Sequence, residues 1–287
     1  RKNSIRNILQ LSAQYTIEQQ NNFKLHLDHI KLSATNLLDD SYIKARLWSQ
    51  LDNSELDIAV INLLTAIQSS NLNITAITLY SSYGLFRQSD SNRLEPYTPP
   101  PLRQLLTNPV LDEFIHSKQQ AIWLARHKGN SLPADIVNYY RLQRGVYTLV
   151  LKVNNRLDKP NGQYYLGRGT KGLLLVDVDL STVFTKIFYN TSGIETYIVT
   201  KYDKILNSDE NKINYIKTNF YDIISKNKIN RGPFISKNRQ VILSITQSPN
   251  SSDRIALAIP LSTINLQLLL LALLLILLNG GLIILAT

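Results

Sequence analysis

The hydrophobic and polar positions of the first part of the chain follow the period of a helix. Between Ile5 and Leu37 there is neither Pro nor Gly, and one face recurs at steps of three or four residues. This face is apolar at both ends and polar in its middle; it comprises Ile5, Leu9, Ser12, Thr16, Gln20, Phe23, Leu27, Ile30, Ala34 and Leu37. The pattern predicts a long stalk helix that packs on a partner helix at one end and on a globular domain at the other.

A second helical period covers Ser54 to Gln68, and Ser54 is the candidate N-cap because its hydroxyl can accept a hydrogen bond from the first turn. The pattern then changes to short apolar runs. ITAITLY, SSYG and LFRQS, which begin at Ile74, predict a strand, a turn and a second strand.

The next hundred residues mix both periods. Five prolines between Arg93 and Pro109 predict an irregular surface connection. A short helix is expected near Val110 to Lys118 and a connecting helix near Ser181 to Tyr189. Strands are predicted near residues 121–125, 138–143, 146–153 and 172–178.

The same order of elements returns in a shorter form from Glu195 onward. ETYIVTKYDKILNS predicts strand, turn and strand, IKTNFYDIIS a helix, and VILSITQS and RIALAIP two further strands. The chain is therefore expected to be α+β, with two unequal mixed domains stacked along the long helix. The predicted units are a stalk over residues 1–53, a distal domain over 54–190 and a smaller proximal domain over 191–262.

The end of the chain carries a long apolar run. No residue from Leu268 to Thr287 is charged. A helix of this length, at about 1.5 Å per residue, is long enough to cross a hydrocarbon core of about 30 Å. A transmembrane helix over residues 264–287 is the prediction, and a fully buried core helix is the alternative. We expect further segments beyond both ends of the sequence, including an output module after Thr287.

Composition narrows the classes of function. The chain has no Cys, so disulfides, thiolate zinc sites and a cysteine nucleophile are excluded. Its formal charge is +10, but the 31 basic residues are scattered among 21 acidic ones. Because nucleic-acid binding needs a concentrated basic face, no nucleic-acid partner is expected. Attraction to an anionic membrane surface or cell wall is the more modest interpretation.

The order of these strings resembles the double Cache extracytoplasmic sensors of bacterial transmembrane receptors. The resemblance covers nearly the whole chain, and it is carried by the long helix, GLLLVDVDLSTVFTKI, TYIVTKYDKILNS and the final RIALAIP. LDEFIHSKQQAIWLA and IVNYYRLQR are most similar to the histidine kinase type. The resemblance implies two PAS-like domains that sense a small ligand. The Arg-x-Trp-Tyr string of the amino-acid-binding branch is not matched by Trp123 to Arg126, so amino-acid specificity is not implied.

No catalytic group is recognisable. GRGTKG at Gly167 to Gly172 fits a dinucleotide fingerprint, but it precedes a predicted strand instead of opening a helix, so a turn is the better interpretation. His26 and His29 share a helix face without a third ligand, so metal binding is not expected. We therefore expect no catalytic residues, no metal and no cofactor.

The candidate ligand site is the one close grouping of Trp, Tyr and Arg, together with an acid. Flat apolar faces and fixed cationic donors suit a small polar or anionic organic ligand. The predicted site residues are Trp123, Arg126, Tyr139, Arg141, Tyr147 and Asp177. The resemblance implies that Asp177, the first acid after the apolar strand, reaches the pocket. The alternative is that the aromatic residues pack the sheet and the arginines are solvated.

These features lead to two main hypotheses. The first is an extracytoplasmic sensor of a small organic ligand, anchored in the cell membrane with residues 1 to about 262 outside the cytoplasm. It contacts membrane lipid and forms a homodimer through the N-terminal helix. The second is a membrane-anchored structural or interaction module with the same fold and no ligand. An extracytoplasmic hydrolase is disfavoured because acid, base and nucleophile are missing.

Overall fold

The computed structural model describes residues 2–48, 53–70, 74–81, 86–90, 102–126, 145–154, 170–179, 194–199, 205–206, 210–225, 233–235, 241–247 and 254–262. Six helices lie in these ranges: α1 (Lys2–Leu38), α2 (Ser41–Trp48), α3 (Ser54–Ser70), α4 (Leu102–Leu105), α5 (Pro109–His116) and α6 (Glu210–Ser225). The predicted long helix and the helices at 54–68 and 110–118 are confirmed within a few residues.

Ten strands are present in the same ranges. They are β1 (Ile74–Ser81), β2 (Phe86–Asp90), β3 (Ala121–Arg126), β4 (Val146–Asn154), β5 (Thr170–Asp179), β6 (Glu195–Val199), β7 (Ile205–Leu206), β8 (Phe234–Ile235), β9 (Val241–Gln247) and β10 (Arg254–Pro260). The predicted strand at 138–143 and helix at 181–189 lie outside the described residues. β8, α2 and α4 were not predicted, because elements this short show no clear period.

Two capping residues define how α2 and α3 begin. The carboxylate of Asp40 accepts hydrogen bonds from the backbone N–H of Tyr42 (2.8 Å) and of Ile43 (3.4 Å), which starts α2 directly after α1. At α3, Leu56 N–H donates to Asn53 Oδ1 (3.0 Å). The N-cap is therefore Asn53, and the prediction of Ser54 was wrong by one position. Both residue types are good caps, so sequence alone could not choose between them.

The strands form two antiparallel sheets with the same topology. Sheet A has the order β2-β1-β5-β4-β3, and sheet B has the order β7-β6-β10-β9-β8. Each strand of sheet B thus takes the place held in sheet A by the strand five positions earlier. The predicted repeat of architecture is confirmed, and so is the α+β class with an N-terminal helix and two mixed units.

Helices cover both faces of each sheet. One apolar cluster joins α1, α2 and α3 to the near face of sheet A, and it continues onto sheet B through residues such as Ile255 and Leu257. The far face of sheet A packs on α4 and α5, and the far face of sheet B packs on α6. Because α1 lies against both sheets, it connects the two mixed units along its length.

Gly172 marks a close approach between sheet A and α2. A Cβ atom at this position would lie 2.4 Å from the carbonyl oxygen of Tyr80 and 2.6 Å from Leu47 Cδ2. The sequence fingerprint at 167–172 therefore ends on a packing glycine at the start of β5. Only hydrogen fits between these groups.

The predicted membrane span over residues 264–287 lies outside the described residues. Within the described part of the chain, no helix combines the length and apolar character that crossing a membrane requires. The uncharged run from Leu268 to Thr287 thus remains a prediction from sequence.

Candidate functional site

The alternation of β-strand side chains divides the predicted site residues between the two faces of sheet A. Trp123 and Tyr147 point to the α1 side, where both belong to the central apolar cluster. Their rings stack with centroids 5.1 Å apart and an interplanar angle of 13°, and the Tyr147 ring lies 6.1 Å from that of Phe23 on α1. These two aromatic residues therefore pack the sheet against the long helix.

Arg126 and Asp177 lie together on the opposite face. Arg126 Nη2 is 2.5 Å from Asp177 Oδ1, and Thr148 Oγ1 donates to the same carboxylate oxygen at 2.8 Å. Arg126 Nε donates to Thr148 Oγ1 at 2.7 Å, which closes the group. We call Arg126, Thr148 and Asp177 the polar triad; its members come from β3, β4 and β5, three adjacent strands.

The triad is buried unequally. The side chain of Arg126 is 3% exposed and that of Asp177 is 19% exposed, while Thr148 is fully buried. A buried guanidinium is costly without a partner, so Asp177 supplies the charge that holds Arg126 in place. Asp177 is also the member through which the triad meets its surroundings.

Much of this face is apolar, with Lys152 and Thr78 as further buried polar residues. Leu124, Val150, Leu173 and Leu175 pack there with Tyr80 against α4 and α5. Along β5 the side chains on this face are Leu173, Leu175 and then Asp177. The polar end of β5 therefore lies beside the last residues of β3 and the first residues of β4. The structure describes β3 up to Arg126 and resumes at Gly145, directly before β4. Tyr139 and Arg141 belong to the connection of residues 127–144 and lie outside the described residues.

Gly145 has a left-handed backbone conformation with φ of 81° immediately before β4. A residue with a Cβ atom is strained there, which explains the glycine at this turn into the sheet.

Lys152 is a further buried charge on the triad face, near α5. Its Nζ donates to the carbonyl oxygen of Ser117, the C-cap residue of α5, at 2.7 Å and lies 4.6 Å from the centroid of the Phe114 ring. Burial lowers the pKa of Lys152 from its ordinary value. Lys152 thus connects β4 to the C-terminal end of α5. This contact joins residues that are distant in the sequence, so it is visible only in the tertiary structure.

The structure thus brings together two of the six predicted residues, Arg126 and Asp177, and adds Thr148. Trp123 and Tyr147 lie behind the same strands. Thr148 could have been suggested by alternation, since it follows Tyr147 and so faces the other way, but its contact with Asp177 depends on strand register. In the described ranges, no group of three or more His, Asp or Glu residues is arranged to hold a metal ion.

No protein family model matches the sequence, and no curated protein matches it significantly. Solved structures do match in fold. The ligand-binding domain of Campylobacter jejuni chemoreceptor Tlp3, in complex with L-valine, has a TM-score of 0.57 and 14% identity, with 91% of this chain and 96% of that chain covered. The ligand binding domain of the Pseudomonas aeruginosa PAO1 amino acid chemoreceptor PctB, in complex with L-Arg, has a TM-score of 0.60 and 14% identity, with 92% of each chain covered.

The extracellular domain of the putative histidine kinase vpHK1S-Z8 is similar to the same extent. Its TM-score is 0.59 at 10% identity, with 92% of this chain and 98% of that chain covered. The chain therefore has the fold of the sensory domains of bacterial chemoreceptors and histidine kinases. The resemblance to double Cache sensors is confirmed at the level of the fold.

Proposed function

We propose that this chain is the extracytoplasmic ligand-sensing part of a transmembrane signalling receptor, of the histidine kinase type. The observation that carries the proposal is the polar triad, which brings the partly exposed carboxylate of Asp177 to a sheet face that is apolar over much of its area. Ligand sites are commonly apolar surfaces with a few fixed polar groups. Sensory domains of similar fold have been solved with L-valine and L-Arg bound, which supports a small-molecule partner.

The ligand contacts we propose are Asp177 and Arg126, with Tyr139 and Arg141 from the connection. Asp177 offers a partly exposed carboxylate that can accept a hydrogen bond from an ammonium, hydroxyl or amide group. Trp123 and Tyr147 act behind the sheet, where they hold the strands of the triad against α1. The ligand is therefore a small organic molecule with at least one hydrogen-bond donor.

The proposal includes the division of the chain and its setting. The stalk covers residues 1–53, the distal domain 54–190 and the proximal domain 191–262, with residues 264–287 in the lipid bilayer. Support for a homodimer comes from Leu25 and Leu32 of α1, which are 68% and 59% exposed and seven residues apart. Phe23, Leu27 and Ile30, which belong to the apolar stripe of α1, are buried within the chain itself.

The test is ligand-induced stabilisation of the full chain, purified in a mild detergent. We expect at least one class from a panel of amino acids, organic acids, amines and polyols to raise the melting temperature. The shift should disappear in Asp177→Asn and persist in Asp112→Asn, whose carboxylate is exposed on α5. A shift that survives in Asp177→Asn would place the ligand elsewhere.

A structural or interaction module is the second candidate, and one observation favours it. The α5 side of sheet A is filled over part of its area by a packed apolar cluster that includes Leu105, Phe114 and Val150. A panel that leaves the melting temperature unchanged in both the wild type and Asp177→Asn would favour this candidate over sensing.

A further inference from the structure

The long helix α1 packs on the two sheets through interfaces of different chemistry. Over residues 23–37 its buried residues are apolar and belong to the cluster that α1 shares with α2, α3 and sheet A; they are Phe23, Leu27, Ile30, Ala34 and Leu37. We call residues 23–37 the upper half. In the lower half, residues 9–20, the buried side chains include Ser12, Thr16 and Gln19. The helix thus has an apolar interface over one half and a mixed one over the other, where these polar side chains lie beside apolar residues such as Leu9, Ile242 and Ile255.

The face of sheet B that α1 covers is also partly polar. Thr196 and Ser244 are both buried there, and each stands opposite Leu257 of the central strand β10. Thr246 follows on the same face of β9. The corresponding face of sheet A presents large apolar groups, among them Ile77, Leu149 and Val176.

The buried hydroxyl groups of the lower half do not connect α1 to the sheet. Ser12 Oγ donates to the carbonyl oxygen of Leu9 at 2.8 Å, and Thr16 Oγ1 donates to that of Ser12 at 2.7 Å. Both bonds stay within α1. Gln19 is 7% exposed, and its buried Oε1 has no hydrogen-bond partner among the described residues. The hydroxyl groups of Ser12 and Thr16 therefore do not fix the position of the helix on the sheet.

The side chain of Gln20 forms hydrogen bonds between the lower half of α1 and sheet B. Its Nε2 donates to the carbonyl oxygen of Gln247 at 3.0 Å, and its Oε1 accepts from Thr246 Oγ1 at 2.8 Å. The amide of Gln20 thus forms hydrogen bonds with two adjacent residues at the end of β9. Both bonds lie near the surface, where water can replace them at small cost.

We propose that the lower half of α1 shifts along sheet B while the upper half stays fixed on sheet A, and that Gln20 holds one of the two positions. Interdigitated apolar side chains resist displacement because every neighbour must repack. Small side chains whose hydroxyl groups bond within their own helix lose no bond when the helix moves. Shifts of packed helices by about 1–2 Å are a known way to carry a signal. The inference goes beyond ligand sensing, and its test needs no ligand.

The test is distance measurement between spin labels in the full chain, which has no native Cys to interfere. One pair, Gln14→Cys with Lys217→Cys, spans sheet B from α1 to α6. The matched pair, Asn36→Cys with Glu113→Cys, spans sheet A from α1 to α5. All four positions are exposed. We expect a broad or two-component distribution for the first pair and a single narrow one for the second.

Gln20→Ala should move the 14–217 distribution by about 1–2 Å and leave the 36–113 distance unchanged. Asn21→Ala, at the neighbouring exposed position, is the control and should change neither distance. A 14–217 distribution as narrow as that of 36–113 would overturn the proposed shift. A 14–217 distribution that is the same in Gln20→Ala and in the unsubstituted chain would overturn the role proposed for Gln20.

Discussion

Arg126 and Asp177 form an ion pair that spans β4, with Arg126 Nη2 2.5 Å from Asp177 Oδ1 and Thr148 bonded to both side chains. An acid at the end of an apolar strand needs either a cationic partner or a wet cleft. The structure supplies the cationic partner from within the chain. Asp177 is therefore expected to contribute to the stability of the fold.

Asp177→Ala should lower the free energy of unfolding by about 3 to 5 kcal/mol, because it leaves the guanidinium of Arg126 buried without its charge partner. The double variant Arg126→Met with Asp177→Leu should cost less than the single one. Urea unfolding of each variant measures this, with the exposed Asp112→Ala as control. A loss below about 1 kcal/mol for Asp177→Ala would show that water reaches Arg126 easily.

Three glutamines of α1 provide a matched series for the polar interface. Gln19→Leu should raise stability by about 1 kcal/mol, since it removes a buried acceptor that has no partner among the described residues. Gln20→Leu should lower stability by about 1 kcal/mol through the loss of two hydrogen bonds. Gln14→Leu, which is exposed, should be nearly neutral. A loss of stability for Gln19→Leu in denaturant titrations would show that the side-chain amide of Gln19 forms a stabilising hydrogen bond.

Gly172→Ala should destabilise the fold by about 1 to 3 kcal/mol. The added methyl group meets the carbonyl oxygen of Tyr80 at 2.4 Å, and a backbone atom cannot rotate away. Leu47→Ala should restore only part of the loss, because it removes the second close contact and leaves the first. Thermal unfolding compares the variants with Ser69→Ala, an exposed control on α3. Equal melting temperatures for Gly172→Ala and wild type would refute the close approach.

The pKa of Lys152 should lie below its ordinary value of 10.5, because burial penalises the charged ammonium group. The unfolded chain then binds the proton more tightly than the folded chain between the two pKa values. The free energy of unfolding, relative to the non-titrating Lys152→Arg, should therefore rise with pH from the folded pKa up to 10.5. Denaturant titrations from pH 8 upward measure this slope. A slope of zero would contradict the burial of the charge.

The proposed homodimer should depend on the exposed apolar face of α1. Leu25→Glu with Leu32→Glu places two charges on that face and should weaken association at least tenfold, because charges at a helix seam must be desolvated. Light scattering in detergent measures the loss, with Asn21→Glu as control. Cysteines introduced between residues 5 and 20 should trap dimers in membranes. Failure of all these positions to cross-link would rule out dimerisation through α1.

Local patterns in the sequence are enough to predict most of the helices and strands. The helical period of α1 and the apolar runs of β1, β4, β5, β9 and β10 are local patterns, and their bounds agree with prediction to within a few residues. The repeated order of strand, turn, strand and helix also lies in the sequence, so two sheets of one topology could be expected. Strand alternation alone could also have separated Trp123 from Arg126, since positions three apart on a strand face opposite ways.

Contacts between residues of different strands and helices could not be predicted in this way. Strand register, which no local pattern fixes, puts Thr148 opposite Asp177 and brings Arg126 within reach of both. The polar middle of α1 is visible in the sequence, but only the packing of α1 on sheet B shows what covers Ser12, Thr16 and Gln19. Local periodicity depends on the geometry of one element. Contacts between distant segments depend on how several elements pack at once.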